Sequence, residues 1–260
     1  MWDTFIITPF VNALLYIYTM VGQNFGVAII LFTILIRLVT HPLTAQQVKG
    51  TKGMQALNSD PRWIEAQKKY KGDKEKLSQE QMKLYKELGI NPFASCLPTI
   101  IQFPVIIGLY QSIMLTLASS PIELLNLTKH IYPGFLSISQ IIPLDSQFLW
   151  MNLGQPERLN LGFLPFGIPV LAIVVLITTY LQSKAMTPAT TGSKDQGAQM
   201  SKMMNLYMPF LMFYLALTFS SGLSLYFVTS NVVGILQYAA LGQVDFKKMF
   251  TLPAIFTTKK

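Results

Sequence analysis

The run from Phe25 to Pro42, FGVAIILFTILIRLVTHP, is long enough to enter a bilayer and carries Arg37 inside it. A guanidinium in hydrocarbon costs about 2.5–3.5 kcal/mol on insertion scales. A chain that keeps one turns it towards water, a partner or a substrate. The run holds no Asp or Glu that could pair with it. Helical spacing puts Thr33 four residues before Arg37 and Thr40 three after, with Thr44 one turn further. The expectation is a narrow polar stripe on an apolar helix, with an unpaired cation at its centre. The alternative is that Arg37, about one to two helical turns from Pro42, snorkels to the cytoplasmic surface.

Composition sets the class. The chain is 51% apolar and 12% charged, against about 25% charged in a soluble domain. The expectation is an all-α polytopic membrane protein. The net charge of +8 is concentrated in a few places, which argues against nucleic acid as a partner. Ten of the 20 Lys and Arg lie between Lys49 and Lys86. Lys184, Lys194 and Lys202 form a second group, and Lys247, Lys248, Lys259 and Lys260 a third. Lys129 and Arg158 fall in another polar stretch. The positive-inside rule places the three basic groups in the cytoplasm. Five spans and an outer N-terminus satisfy it, whereas six spans leave an almost uncharged N-terminus inside. A lone Cys96 with His41 and His130 builds neither a disulfide framework nor an ordinary zinc site. No cleavable signal or transit pattern precedes the first apolar stretch.

Residues 1–24 are apolar and aromatic but interrupted by Asp3, Pro9 and Asn12. They read as an interfacial helix, with a first span behind a cleavable signal as the competing reading. The spans are expected at 25–43, 92–119, 161–182, 203–219 and 223–241. Between the first two, residues 44–91 read as a basic cytoplasmic helical hairpin. Asp73 or Ser78 is its second N-cap, and Lys76/Glu80 and Lys83/Glu87 are expected ion pairs. Asn91-Pro92 starts the second span, which Pro98 and Pro104 should bend. Residues 120–160 form an extracytoplasmic loop, 183–202 a cytoplasmic loop, and 242–260 a cytoplasmic tail.

Enzyme chemistry fares badly. The spans contain no carboxylates for aspartyl proteolysis, no His placed to activate a membrane serine, and no phosphate-cradling loop. No cofactor or metal is implied. The spans do carry uncharged polar groups: Gln102 and Tyr110 in the second, Gln182 in the third, and Tyr226, Ser230, Asn231 and Gln237 in the fifth. They are either interhelical glue or the lining of a wet, cationic pocket around Arg37. A pocket of that kind suits a device that holds acidic or polar chain segments. A facilitator or channel with a cationic vestibule is the alternative.

FTILIRLVTHPLTAQQ, the hairpin ending LSQEQMKLYKELGINPFASCLPTIIQFPVIIGLY, YLQSKAMTP and SSGLSLYFVTSN resemble the YidC/Oxa family of membrane-protein insertases, in the family's order, over roughly residues 25–242. The likeness is to the compact five-span bacterial form. It implies a plasma-membrane protein that inserts nascent membrane proteins without nucleotide hydrolysis, through a polar groove among its spans. By resemblance Arg37 is the groove arginine and Thr33 its neighbour, with Gln182 at the groove's inner end. Tyr226 and Phe227 form the aromatic pair along which clients slide. Thr40, Gln102 and Ser230 complete the expected groove. The hairpin matches a region used for substrate capture and contact with ribosome or targeting receptor, and the Sec translocon is a further partner to consider beside membrane lipids.

Overall fold

The structure, a computed structural model, describes residues 1–70, 72–91, 97–117, 120–134, 144–160, 167–186 and 196–242. Parts of the expected spans at 92–96, 118–119 and 161–166, loop residues 187–195 and the tail from 243 lie outside them. A π-helical turn, Asp3–Ile7, leads into α1, Thr8–Met20. Asn24 closes the turn after it and caps α2, Phe25–Val39, by accepting from Val27 N at 3.0 Å. Next come α3, His41–Ser59; α4, Pro61–Lys69; and α5, Lys74–Glu87. Then follow α6, Leu97–Thr116, and α7, Pro121–Lys129. A two-stranded antiparallel ribbon pairs β1, Gln147–Phe148, with β2, Met151–Asn152. The chain continues through α8, Val170–Met186; α9, Gln196–Thr218; and α10, Ser221–Ala240.

The core lies where α1, α2, α6, α8 and α10 meet. Leu14, Phe25, Ile29, Phe32, Leu109, Ile113, Val175, Leu223 and Tyr226 are all buried in it. Among the described residues, α10 alone is a single helix long and apolar enough to cross a membrane. Apolar stretches also run over Ile101–Thr116 of α6, Val170–Met186 of α8 and Tyr207–Thr218 of α9.

The helix that carries Arg37 is shorter than the apolar run. It stops at Val39, and the chain bends by 58° into α3. Pro42 is the reason, because it withholds the N–H that would donate to Leu38 and crowds that turn. The third apolar helix starts at Val170 rather than in the 160s, because Leu159 and Ile168 pair as a β-bridge just before it.

Residues 144–160 close the end of the bundle away from the hairpin. Leu153 and Gln155 carbonyls accept from Gly222 N and Ser221 N at 3.0 and 2.8 Å, capping α10. The buried Glu157 carboxylate accepts from Leu171 N at 3.0 Å and from Trp150 Nε1 at 2.9 Å, capping α8. Gly222 lets the helix start approach closely, since a Cβ would stand 3.1 Å from Leu153 O and 3.2 Å from an Ile113 methyl. Asn12, which looked out of place in an apolar helix, is spent on the same closure. Its amide donates to His130 O at 2.7 Å and accepts from Tyr132 N at 3.0 Å.

The basic segment is three helices: α3 runs on from the bend to Ser59, the chain breaks at Asp60-Pro61, and α4 and α5 follow. Asp60 caps α4 and binds Arg62, whose guanidinium holds that carboxyl below the usual carboxylate range. Asp73, not Ser78, caps α5. The ion pairs differ from the expected ones: Lys83 meets Glu80, Lys76 meets Asp73, and Glu87 reaches Arg62. All are exposed and contribute little. What holds the hairpin is a small core of its own, Leu57, Trp63 and Leu84, with Leu77 and Ile90 packed against it.

Proline at Leu84 removes a buried anchor and breaks α5, a change of about 3 kcal/mol or more. Leu84→Pro should therefore abolish amide-exchange protection across residues 57–90 while the core helices keep theirs. Hydrogen exchange followed by mass spectrometry checks this, and loss of protection in α6 and α8 as well would show that the hairpin is part of the main fold.

Candidate functional site

Arg37 sits in the last turn of α2, where its side chain faces α10. Its Nε donates to Ser230 Oγ at 2.8 Å. Ser230 is buried, and one turn before it on α10 the Tyr226 hydroxyl accepts from Gln102 Nε2 of α6 and also meets Ser230. One turn after Ser230 comes Gly234. A Cβ at Gly234 would stand 2.5 Å from Gln182 Nε2 and 3.6 Å from Arg37 Nη1. The guanidinium and the Gln182 amide therefore share the space a side chain would fill. Gln237 completes the face, donating from Nε2 to the Arg37 carbonyl at 2.8 Å. Positions 226, 230, 234 and 237 recur at helical spacing, so one face of α10 organises the whole cluster.

The neighbouring helices are fixed around it. Asn231 Nδ2 donates to Thr178 and Thr179 hydroxyls on α8, at 3.1 and 2.8 Å. The Tyr238 hydroxyl donates to Gln47 Oε1 on α3 at 2.8 Å. Among the described residues no carboxylate pairs with Arg37; the salt bridges there all belong to the hairpin. Neutral oxygen is what it is given. Nor do three His, Cys, Asp or Glu gather anywhere in the described residues.

Five of the residues singled out from the sequence come together here: Arg37, Ser230, Tyr226, Gln102 and Gln182. Thr33 and Thr40 do not join them. Each turns its hydroxyl back onto its own helix, Thr33 to Ile29 O at 2.6 Å and Thr40 to Ile36 O at 2.8 Å. Both are i−4 back-bonds of the kind threonine commonly makes on a helix. Phe227 is buried in the main core, its ring centroid 5.7 Å from that of Tyr226. Tyr110 packs edge-on against Phe219. Sequence reasoning missed Gly234, and it named Gln237 among the polar groups of the last span without placing it in the expected groove. Their spacing from Ser230 was the available signal, four and seven residues along one helix face.

The fold is mostly helical, with an apolar core and a buried polar cluster around Arg37, an arrangement suited to a helical membrane protein. The chain belongs to the YidC/Oxa family of membrane protein insertases, whose family description is the 60Kd inner membrane protein and whose match covers residues 16–248. It is 33% identical over 249 residues to the membrane protein insertase MisCA of Bacillus subtilis (strain 168), an alignment covering 95% of this chain and 81% of that one. It is 34% identical over 240 residues to membrane protein insertase YidC 2 of Bacillus anthracis, covering 91% and 79%. Among solved structures it is similar to an active YidC insertase with its first transmembrane domain resolved, with a TM-score of 0.53 and 25% identity. That match covers 85% of this chain and 42% of the other, so the chain spans less than half of that protein.

Gly234→Ala separates folding from the site. Alanine is favoured over glycine in a helix by about 0.5–1 kcal/mol, while its methyl must displace the Gln182 amide. The thermal midpoint in detergent should hold or rise, and insertion activity of the same preparation should fall. A fall in both together would place Gly234 in packing alone.

Proposed function

We propose that this chain is a five-span insertase of the bacterial plasma membrane, with its N-terminus outside and its C-terminus in the cytoplasm. In this reading α2, α6, α8, α9 and α10 cross the membrane, and α1 lies at the outer interface with Trp2, Phe5 and Tyr16 exposed. The hairpin α3–α5 captures a nascent membrane protein. An acidic or polar segment of that client then enters a groove floored by Arg37, Ser230, Tyr226, Gln102 and Gln182. The observation that carries the reading is Arg37, a guanidinium packed among apolar helices and bonded to a serine hydroxyl rather than a carboxylate. An ion held without a counter-ion has its attraction left over for a ligand.

Two further features support it. The outer loop seats Leu153 and Met151 in the core and caps α8 and α10, so the cluster opens more readily to the cytoplasmic side. Beside it, Ile173 and Ile177 on α8 and Val232 and Leu236 on α10 form exposed apolar stripes at i, i+4 spacing. Along these the client's hydrophobic segment passes into lipid. No nucleotide is needed. Burying each large apolar side chain of a spanning helix yields about 1.5–3 kcal/mol, enough over a whole span to carry a short polar tail across.

Two single-span clients whose translocated tails differ only in Asp versus Asn test the role of Arg37. Arg37→Ala should reduce insertion of the Asp client about tenfold or more and the Asn client far less. Arg37→Lys should retain much of the activity, because the charge remains although the planar donor fork is lost. Rescue by Arg37→Gln, with equal sensitivity of both clients, would leave hydration as the only task of the residue. Solute flux through the purified protein in liposomes, with no effect on insertion, would favour a channel.

A further inference from the structure

The carbonyls in the last turn of a helix lack intrahelical partners, and Arg37 lies in that turn of α2. The Arg37 carbonyl takes a long hydrogen bond from Thr40 Oγ1 at 3.4 Å and a short one from Gln237 Nε2 at 2.8 Å. The next residue on α10, Tyr238, donates its hydroxyl to Gln47 at 2.8 Å. Gln47 stands on α3, beyond the break at Thr40. Two adjacent residues of one helix thus hold the two arms of the bent pair, one on each side of a 58° bend. Both bonds are shielded: Gln237, Tyr238 and Gln47 are only 7%, 3% and 8% exposed. The Gln237 Oε1 atom is buried and has no hydrogen-bond partner, so its amide is oriented by the bond to Arg37 O alone.

From this arrangement we infer that Gln237 and Tyr238 form a two-point clamp that sets the angle between the Arg37-bearing helix and the hairpin, and so act as positioning residues for insertion. The inference rests on the reading of Arg37 as the client contact. The guanidinium is aimed by Ser230, while the backbone that carries it is held by Gln237. Movement of α3 when the hairpin engages a client is transmitted through Gln47 to Tyr238 and, one residue away, to the carbonyl of Arg37. Pro42 keeps the break from straightening, which makes the clamp the element that chooses the angle.

The test uses the full chain in liposomes with Cys96→Ser and spin labels on Lys86→Cys of α5 and Ala240→Cys of α10. Both positions are exposed. Gln237→Leu and Tyr238→Phe should each broaden the distance distribution between the labels about twofold. Each should lower insertion of the Asp-tailed client about three- to tenfold, the range a lost buried hydrogen bond gives. The Asn-tailed client should change less than twofold, and the double variant should be no worse than the more severe single one. An unchanged distance distribution overturns the clamp, and so does an equal loss for both clients, which marks a merely structural role. If Arg37→Ala leaves both clients untouched, the reading of Arg37 fails instead. The label distances distinguish that failure, because they report the clamp without reference to any client.

Discussion

A guanidinium among apolar helices can neither lose its proton nor be left without hydrogen bonds. Arg37 meets this constraint with neutral groups: the Ser230 hydroxyl takes a hydrogen bond from Nε, and Gly234 leaves room for Nη1 and the Gln182 amide. The surrounding structure follows from that solution. The α10 helix must bring Tyr226, Ser230, Gly234 and Gln237 to a single face, and α6 and α8 must approach closely enough for Gln102 and Gln182 to reach it. A carboxylate partner would have been the cheaper way to keep the charge. It would also have cancelled most of the positive field at the site.

The end of the bundle away from the hairpin is closed by polar groups that the backbone satisfies. Loop carbonyls cap α10, the Glu157 carboxylate caps α8, and the Asn12 amide locks the His130–Tyr132 backbone against α1. Each is a polar group satisfied by backbone, which lets the apolar side chains around it seal. At the hairpin end Gln237 and Tyr238 of α10 bond the Arg37 carbonyl and Gln47. There the chain bends at Thr40 into a hairpin with a separate core of Leu57, Trp63 and Leu84, and this division allows one part to move while the other stays packed.

Much of this was legible in the sequence because its signals are local. Arg37 within an apolar run, the basic segment and the polar periodicity of the last helix each declare themselves without a partner. Membership of the YidC/Oxa family was readable from ordered motifs. What escaped was everything decided by contact between distant segments. Thr33 and Thr40 flank Arg37 at helical spacing, yet their hydroxyls bond their own backbone. Gly234 carries no functional group, so only its place beneath Gln182 and Arg37 gives it a role. Lys83 and Glu87 have ideal spacing on paper, but Arg62 from the neighbouring helix takes Glu87.

The central claim is that Arg37 makes a hydrated, positively biased site open to the cytoplasm. Ser230→Cys in a Cys96→Ser background places a thiol beside the guanidinium, and its reaction with membrane-impermeant thiosulfonates of opposite charge can be timed from each face. The account predicts modification from the cytoplasmic face only, with the anionic reagent reacting several-fold faster than the cationic one. That preference should vanish when Arg37→Gln is added. A thiol that reacts from neither face, or with equal rates for both reagents while Arg37 is present, would contradict it.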